Sequence, residues 1–302
     1  MRRTGLAGKA IDSESIPCPL RLVRLLLVSH PPLLPELGAA RIALELAAAL
    51  RALGHQAIAW SPAPLPEGTP WWRTYAAQRR ALERFLGESE PFDAIDAPPV
   101  TISPAVARSG FTIARSNQPD LSYLALDLRG ELKRLDPRLL FHAGYGAAFA
   151  LAHRAGLARA NRILALGQIE ERNLSRHPAL RPKLLRYLHA LAPGDRAALG
   201  IVRRSREQRT PGAGIRFLWI GRWAAHKGPS ELLAWLRVRA NSHPADTFTI
   251  AGCGDVPARD LASRAHRELL ATERLRLVPR FVRAALPALL AAPDVGVFTS
   301  RG

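Results

Sequence analysis

Within residues 215–236 the hydrophobic period of the chain changes, and that change restricts what it can fold into. Residues 215–220 form a short apolar run, the pattern of a strand buried on both faces. Gly221 breaks the run, Arg222 and Lys227 fall in the loop that follows, and beyond Gly228 and Pro229 the leucines Leu232, Leu233 and Leu236 return at helical spacing. A strand, a basic turn and a helix in this order are a unit of a parallel α/β sheet.

Such a turn has the chemistry of an anion site. A helix opening at Pro229 leaves its first amide N–H groups unpaired and presents a positive dipole end, and proline suits that position because it has no N–H to lose. Arg222 offers a planar fork for phosphate oxygens and Lys227 a compact point charge, so the pair can hold a diphosphate. The same residues also suit a solvated loop with two surface cations.

The rest of the chain repeats the alternation. Residues 1–20 lack periodicity and read as a poorly ordered tail. Residues 22–28 are a buried strand, residues 39–53 a helix with Ile42, Leu46, Leu50 and Leu53 on one stripe and Gly54 as its stop, and residues 56–60 a second strand. This is the βαβ opening of a Rossmann-like half. A helix over 75–86 and strands over 93–98 and 111–117 follow, so Asp96 and Asn117 lie where strands end, the edge at which open α/β sheets bind ligands. Residues 120–160 read as helical with an interruption at 141–146, where His142 is more naturally structural than a ligand. Strands are expected over 160–166 and 184–189, and residues 193–214 read as the linker between halves. In the second half, residues 247–251 run into a turn with Gly252 and Gly254, and a strand is expected over 275–278. The expected division is a tail to residue 20, a first domain over 21–205 and a second over 206–302.

Composition limits the function classes. With 302 residues, 48% of them hydrophobic, the chain can bury two cores and is neither disordered nor fibrous. The formal charge is +18, and since only Lys9, Lys133, Lys183 and Lys227 are lysines the excess is almost all arginine, a bias that genomic base composition also produces. A basic surface favours phosphorylated substrates or an anionic membrane face. Nucleic acid is not expected, because aromatic residues make up 6% and are not interleaved with the cations. Cys18 and Cys253 are far apart and there is no clustered His or Cys set and no Asp-x-Asp, so no disulfide framework, metal or resident cofactor is expected. No apolar run reaches the roughly 18 residues of a membrane span, and the N-terminus lacks a secretory core, so a cytoplasmic protein is expected, in peripheral contact with membrane at most.

Gly221-Arg222 followed by Lys227-Gly228 resembles the donor loop of family 4 glycosyltransferases of the GT-B fold, and segments in matching order extend the resemblance from about residue 22 to the end. The resemblance implies two Rossmann-like domains with parallel sheets, a nucleotide-sugar as co-substrate, and transfer to a carbohydrate, lipid-linked or other small acceptor with retention at the anomeric carbon. It places Arg222 and Lys227 on the diphosphate and Gly221, Gly252 and Gly254 near the nucleotide. Residues 37–47 resemble the family's first loop and helix, whose paired glycines let the backbone approach the donor; here Leu37 replaces the first, and Gly38 serves equally as a turn residue. Residues 115–117 resemble an Arg-Ser-His element, with Asn117 in place of the histidine, able to bond a sugar hydroxyl but not to act as a base; Asn117 fits a turn before Pro119 as well. Asn161 stands where relatives carry an acid, and residues 282–290 and 294–300 resemble the family's short helix and the strand before its acidic motif. The family's glutamate motif, expected after Ser300, does not follow, which implies an incomplete second domain and, as the alternative to catalysis, a nucleotide-sugar-binding or partner-binding remnant.

Overall fold

The computed structural model describes residues 22–66, 69, 71–116, 120–134, 139–188, 193–209 and 212–300. The N-terminal tail and Asn117 therefore lie outside the described residues. The first half runs β1 (Arg24–Val28), α1 (Gly38–Ala52), β2 (Gln56–Trp60), α2 (Trp71–Glu88), β3 (Ala94–Ala97), α3 (Pro104–Arg108), β4 (Phe111–Arg115), α4 (Asp120–Arg134), α5 (Leu139–Arg159), β5 (Arg162–Leu166), α6 (Gly167–Ser175) and β6 (Leu184–Tyr187). The second runs α7 (Pro193–Glu207), β7 (Arg216–Ile220), α8 (Pro229–Ser242), β8 (Thr247–Ala251), α9 (Arg264–Ala271), β9 (Leu275–Val278), α10 (Leu286–Ala291) and β10 (Val295–Gly296).

The strands form two all-parallel sheets, ordered β2-β1-β3-β4-β5-β6 and β10-β7-β8-β9. The unbroken apolar run of β1 follows from burial on both faces. Leu26 and Val28 join the core with Ile95, Ala114 and Ile163, while Leu27 points to the other face and meets Ala43, Ala47 and Ala57. Small residues on the inward face of α1 let that helix lie close on the sheet. The second half has its own core around Phe217, Trp219, Leu232, Leu236, Phe248 and Ile250.

Three expectations need correction. The break at 141–146 is absent, because α5 runs continuously from Leu139 to Arg159. Its glycines serve packing rather than termination. A Cβ on Gly146 would come within 3.1 Å of Leu124 on α4, and one on Gly156 within 1.8 Å of the Pro99 carbonyl oxygen. Secondly, residues 193–207 of the expected linker form α7, which buries Val202 and packs against α10. Arg209, just beyond it, donates to the carbonyls of Ala291 and Ala292 and so satisfies the C-terminal end of α10. Finally, the strand expected over 294–300 is reduced to Val295 and Gly296, with the N–H groups of Asp294 and Val297 bonded to the Arg216 and Leu218 carbonyls on either side, after which Thr299 bonds a neighbouring loop.

The start of β7 is held by two carboxylates. Asp246 accepts from the Ile215 N–H at 2.7 Å and the Arg239 Nε at 2.6 Å, while Asp294 accepts from the N–H and guanidinium of Arg216 and from Arg209. The Arg216 hydrogen bond, with the others, holds the Asp294 carboxyl far below the usual carboxylate range.

Two outcomes are expected. Gly156→Ala should destabilise the first half by about 1–3 kcal/mol in urea unfolding, since backbone must move to admit the methyl group. His153, buried within α5, has its pKa pushed down to about 4 by burial and by Arg154. Its unfolded value near 6.5 is higher, so the unfolded chain binds the proton first and stability is lost as pH falls from about 6.5 to 4, by on the order of 3 kcal/mol. His153→Leu should flatten that limb of the pH–stability curve.

Candidate functional site

In the second sheet the chain order reverses beside β7: β8 and β9 lie on one side, β10 on the other. Loops diverge at such a switch point and leave a crevice at the carboxyl ends of the strands. The loop that opens there is residues 221–228. Arg222 is exposed, Lys227 partly exposed, and neither side chain joins an ion pair among the described residues. Ala225–Lys227 form a 3₁₀ turn, Gly228 adopts φ 66°, and Pro229 opens α8, so Lys227 stands directly before a helix N-terminus.

Two indoles hold this loop. Trp219, buried on β7, donates through Nε1 to Thr299 Oγ1 at 3.0 Å, and that hydroxyl donates to the Lys227 carbonyl at 2.7 Å. Trp223 donates through Nε1 to Asp260 Oδ2 at 2.8 Å. Sequence reasoning assigned neither pair, because Thr299 and Asp260 are distant in the chain. The signal available was a tryptophan on each side of the Ile220–Arg222 break.

The glycines fall into two groups. Gly221 donates its N–H to Ala251 O at 3.0 Å and packs on the Trp219 ring; Gly252, at φ 71°, lies 3.9 Å from Gly221 O at its Cβ position and packs on Phe281. These two bring the β7 and β8 loops together. Gly254, at φ 63°, and Gly38, the first residue of α1, face open space: a Cβ on either would meet no protein atom within 4 Å.

The first sheet also reverses order, at β1, and a small cavity at the carboxyl ends of β1 and β3 is bordered by Val28, Ala39, Asp96 and Arg115. Asp96 is not a free carboxylate at this edge. It is buried and paired through both oxygens with the buried Arg115. Burial pushes its carboxyl above the ordinary value, against the pull of the guanidinium. Next to it, Ser116 Oγ donates to Glu170 Oε1 at 2.5 Å, Glu170 Oε2 accepts from the Leu166 N–H at 2.6 Å, and the Tyr187 hydroxyl donates to the Ser116 carbonyl. Glu170 and Tyr187, which sequence reasoning did not select, thus fix the point where the chain leaves β4. Asn161, in the place of an acid, works at the opposite edge, where its Oδ1 accepts from the Thr112 N–H at 2.8 Å and hydroxyl at 3.0 Å. His142 lies within α5, stacked obliquely beside Phe141.

The two halves meet at these edges. α4 packs against the Ala225–Lys227 turn. Nearby, Asp195 in the first turn of α7 accepts from Arg283, which precedes α10, and from Arg41 of α1 at 3.5 Å; Arg41 also pairs with Glu45 at 2.8 Å. A larger cavity of about 860 Å³ lies at the far end of the second sheet, beside Ile215 and Asp246. Of its four arginines, Arg203, Arg209 and Arg239 are already engaged by Glu207, Asp294 and Asp246, and Arg206 donates to the Asp294 carbonyl.

Two Rossmann-like halves, each with its switch point at the carboxyl edge and with those edges in contact, define the GT-B fold. Solved structures of that fold align over 92% of the chain. They include the catalytic domain of starch synthase IV from Arabidopsis thaliana bound to ADP and acarbose, at TM-score 0.58, 11% identity and 78% of its own length. Sucrose-phosphate synthase from Thermosynechococcus elongatus aligns at 0.59, 14% and 75%, and a UDP-forming α,α-trehalose-phosphate synthase from Burkholderia xenovorans at 0.56, 13% and 78%. At these identities the likeness is one of fold. No protein-family model matches the chain, and no curated protein matches it.

Thr299→Val should remove the hydroxyl that links Trp219 to the Lys227 carbonyl at nearly unchanged volume. The expected result is a loss of about 1–2 kcal/mol in denaturant titration, with the protease sensitivity of residues 221–228 rising relative to the first half.

Proposed function

We propose that the protein is a glycosyltransferase that moves a sugar from a nucleotide diphosphate donor to an acceptor in the seam between its two halves. The observation that carries this reading is the placement of Arg222 and Lys227. Both lack an ion-pair partner among the described residues, both lie at the switch point of a parallel sheet, and Lys227 directly precedes the first turn of α8. A diphosphate seated there would take charge from two cations and from the unpaired N–H groups of a helix start.

The chemistry follows from where charge develops. As the bond from the sugar to the diphosphate breaks, negative charge grows on the leaving oxygen, and fixed cations beside it lower the barrier without a metal ion. Gly254 and Gly38 each have open space at the Cβ position, which would let backbone approach a donor. The ADP named in the starch synthase complex, a protein of the same fold, agrees with a nucleoside diphosphate as the leaving group. Within the GT-B class the loop sequence favours a family 4 type of site, a retaining outcome, and a carbohydrate or lipid-linked acceptor. The Ser116–Glu170–Tyr187 set would position the end of β4 on the acceptor side, and Asn117 follows Ser116 in the sequence.

Isothermal titration with ADP and UDP tests the site. Arg222→Ala and Lys227→Ala should each weaken binding of the diphosphate that the unchanged chain prefers by about tenfold, the worth of a charge-assisted hydrogen bond. Unchanged affinity in both variants would remove the assignment. Release of free nucleotide from a nucleotide-sugar should accompany binding; binding without release would leave a donor-binding protein in place of an enzyme.

A further inference from the structure

The longest helix of the first half is apolar on the side that faces away from the core. α5 buries Gly146, Phe149, His153, Gly156 and Leu157. Its opposite face carries Leu140, Gly144, Ala147, Leu151, Arg154 and Ala158, all exposed and spaced alternately by four and three residues, so that they form one continuous stripe. Leu140 is 86% exposed, Leu151 67% and Phe141, on the stripe's margin, 49%. A helix with leucines on both faces has normally found a second partner.

The charge pattern indicates what that partner is. Residues 139–159 include no Asp or Glu, while Arg154 and Arg159 stand at the C-terminal end of the helix. The whole chain carries a formal +18. A second copy would set another strongly cationic chain against this one, whereas an anionic bilayer offers both an apolar layer for the leucines and negative head groups for the arginines.

Orientation adds a consequence. α5 ends at Arg159, two residues before Asn161 meets the start of β4, so the helix runs antiparallel to the strands. Over 21 residues it spans about 30 Å, which brings Leu140 and Phe141 to the edge where β4 ends at Arg115 and where the halves meet.

We infer that the outward face of α5 is a docking surface for an anionic membrane, laid so that its Leu140 end brings the bilayer beside the seam between the halves. The surface is independent of the donor-site reading; if both hold, a lipid-linked acceptor would reach the seam from the bilayer.

Vesicle co-sedimentation of the full chain tests this. Vesicles of equal parts phosphatidylcholine and phosphatidylglycerol should pellet the protein, with pure phosphatidylcholine pelleting less, and binding should fall as salt rises. Leu140→Glu with Leu151→Glu should lower partition to the mixed vesicles at least about tenfold, with circular dichroism and nucleotide affinity unchanged; Leu185→Glu, an exposed leucine on β6, should leave partition as it is. Should the double variant lose structure, Leu151→Gln alone takes its place. The inference is overturned if the unchanged chain stays in the supernatant, if the α5 variants bind as well as the parent, or if sedimentation velocity shows a dimer that these substitutions split while vesicles go unbound. Nucleotide binding without vesicle binding would remove this surface and leave the donor site standing.

Discussion

A left-handed residue at position 228 is the constraint on which the second half turns. Gly228 closes the 3₁₀ turn through its N–H to the Ala225 carbonyl and starts α8 through its own carbonyl, which accepts from Leu232 at 3.0 Å. A side chain there would meet both the positive φ and the Thr299 carbonyl oxygen, 2.1 Å from the Cβ position. With glycine the turn can be abrupt, so Lys227 ends against the helix start rather than a turn away from it. Thr299 then bonds the Lys227 carbonyl, and the segment after β10 becomes part of the loop's support. Local backbone freedom, helix geometry and a long-range contact thus converge on the same few atoms.

Each sheet divides its labour between its two ends. At the amino end of β7, Asp246 and Asp294 accept backbone N–H groups and arginines, and at the amino end of β4 Asn161 does the same for Thr112. These bonds fix strand starts and have little to offer a ligand. At the carboxyl ends the loops carry Arg222 and Lys227 and, at Gly254 and Gly38, open space beside the backbone. Parallel strands put all their carboxyl ends on one edge, so the division follows from topology.

That topology explains what could be read in advance. The strands showed as apolar runs because both faces of each sheet are covered, and the helix that follows β7 was marked by Gly228 and Pro229. The GT-B arrangement of two such halves followed. Contacts between distant residues were not legible. Glycines of α5 looked like breaks, since a sequence does not show that Leu124 and the Pro99 carbonyl lie where their side chains would be. Asp96 looked available at a strand end, and only the neighbouring strand supplies the Arg115 that occupies it. Glu170, one turn into α6, gave no sign that it would reach the end of β4.

The positive charge of the chain is a poor guide to function until it is divided by what each cation touches. Arg115, Arg209, Arg216, Arg239 and Arg283 face carboxylates, and Arg274 donates to three backbone carbonyls. These guanidiniums bind strands, helix ends and the two halves to one another, work for which a planar fork is suited. Their charge is largely neutralised where they stand. Arg222, Lys227 and Arg154 are different in that no carboxylate answers them among the described residues. An anion reaching those positions would gain attraction without first displacing an internal partner, which is the condition for a charge to act on a ligand rather than on the fold.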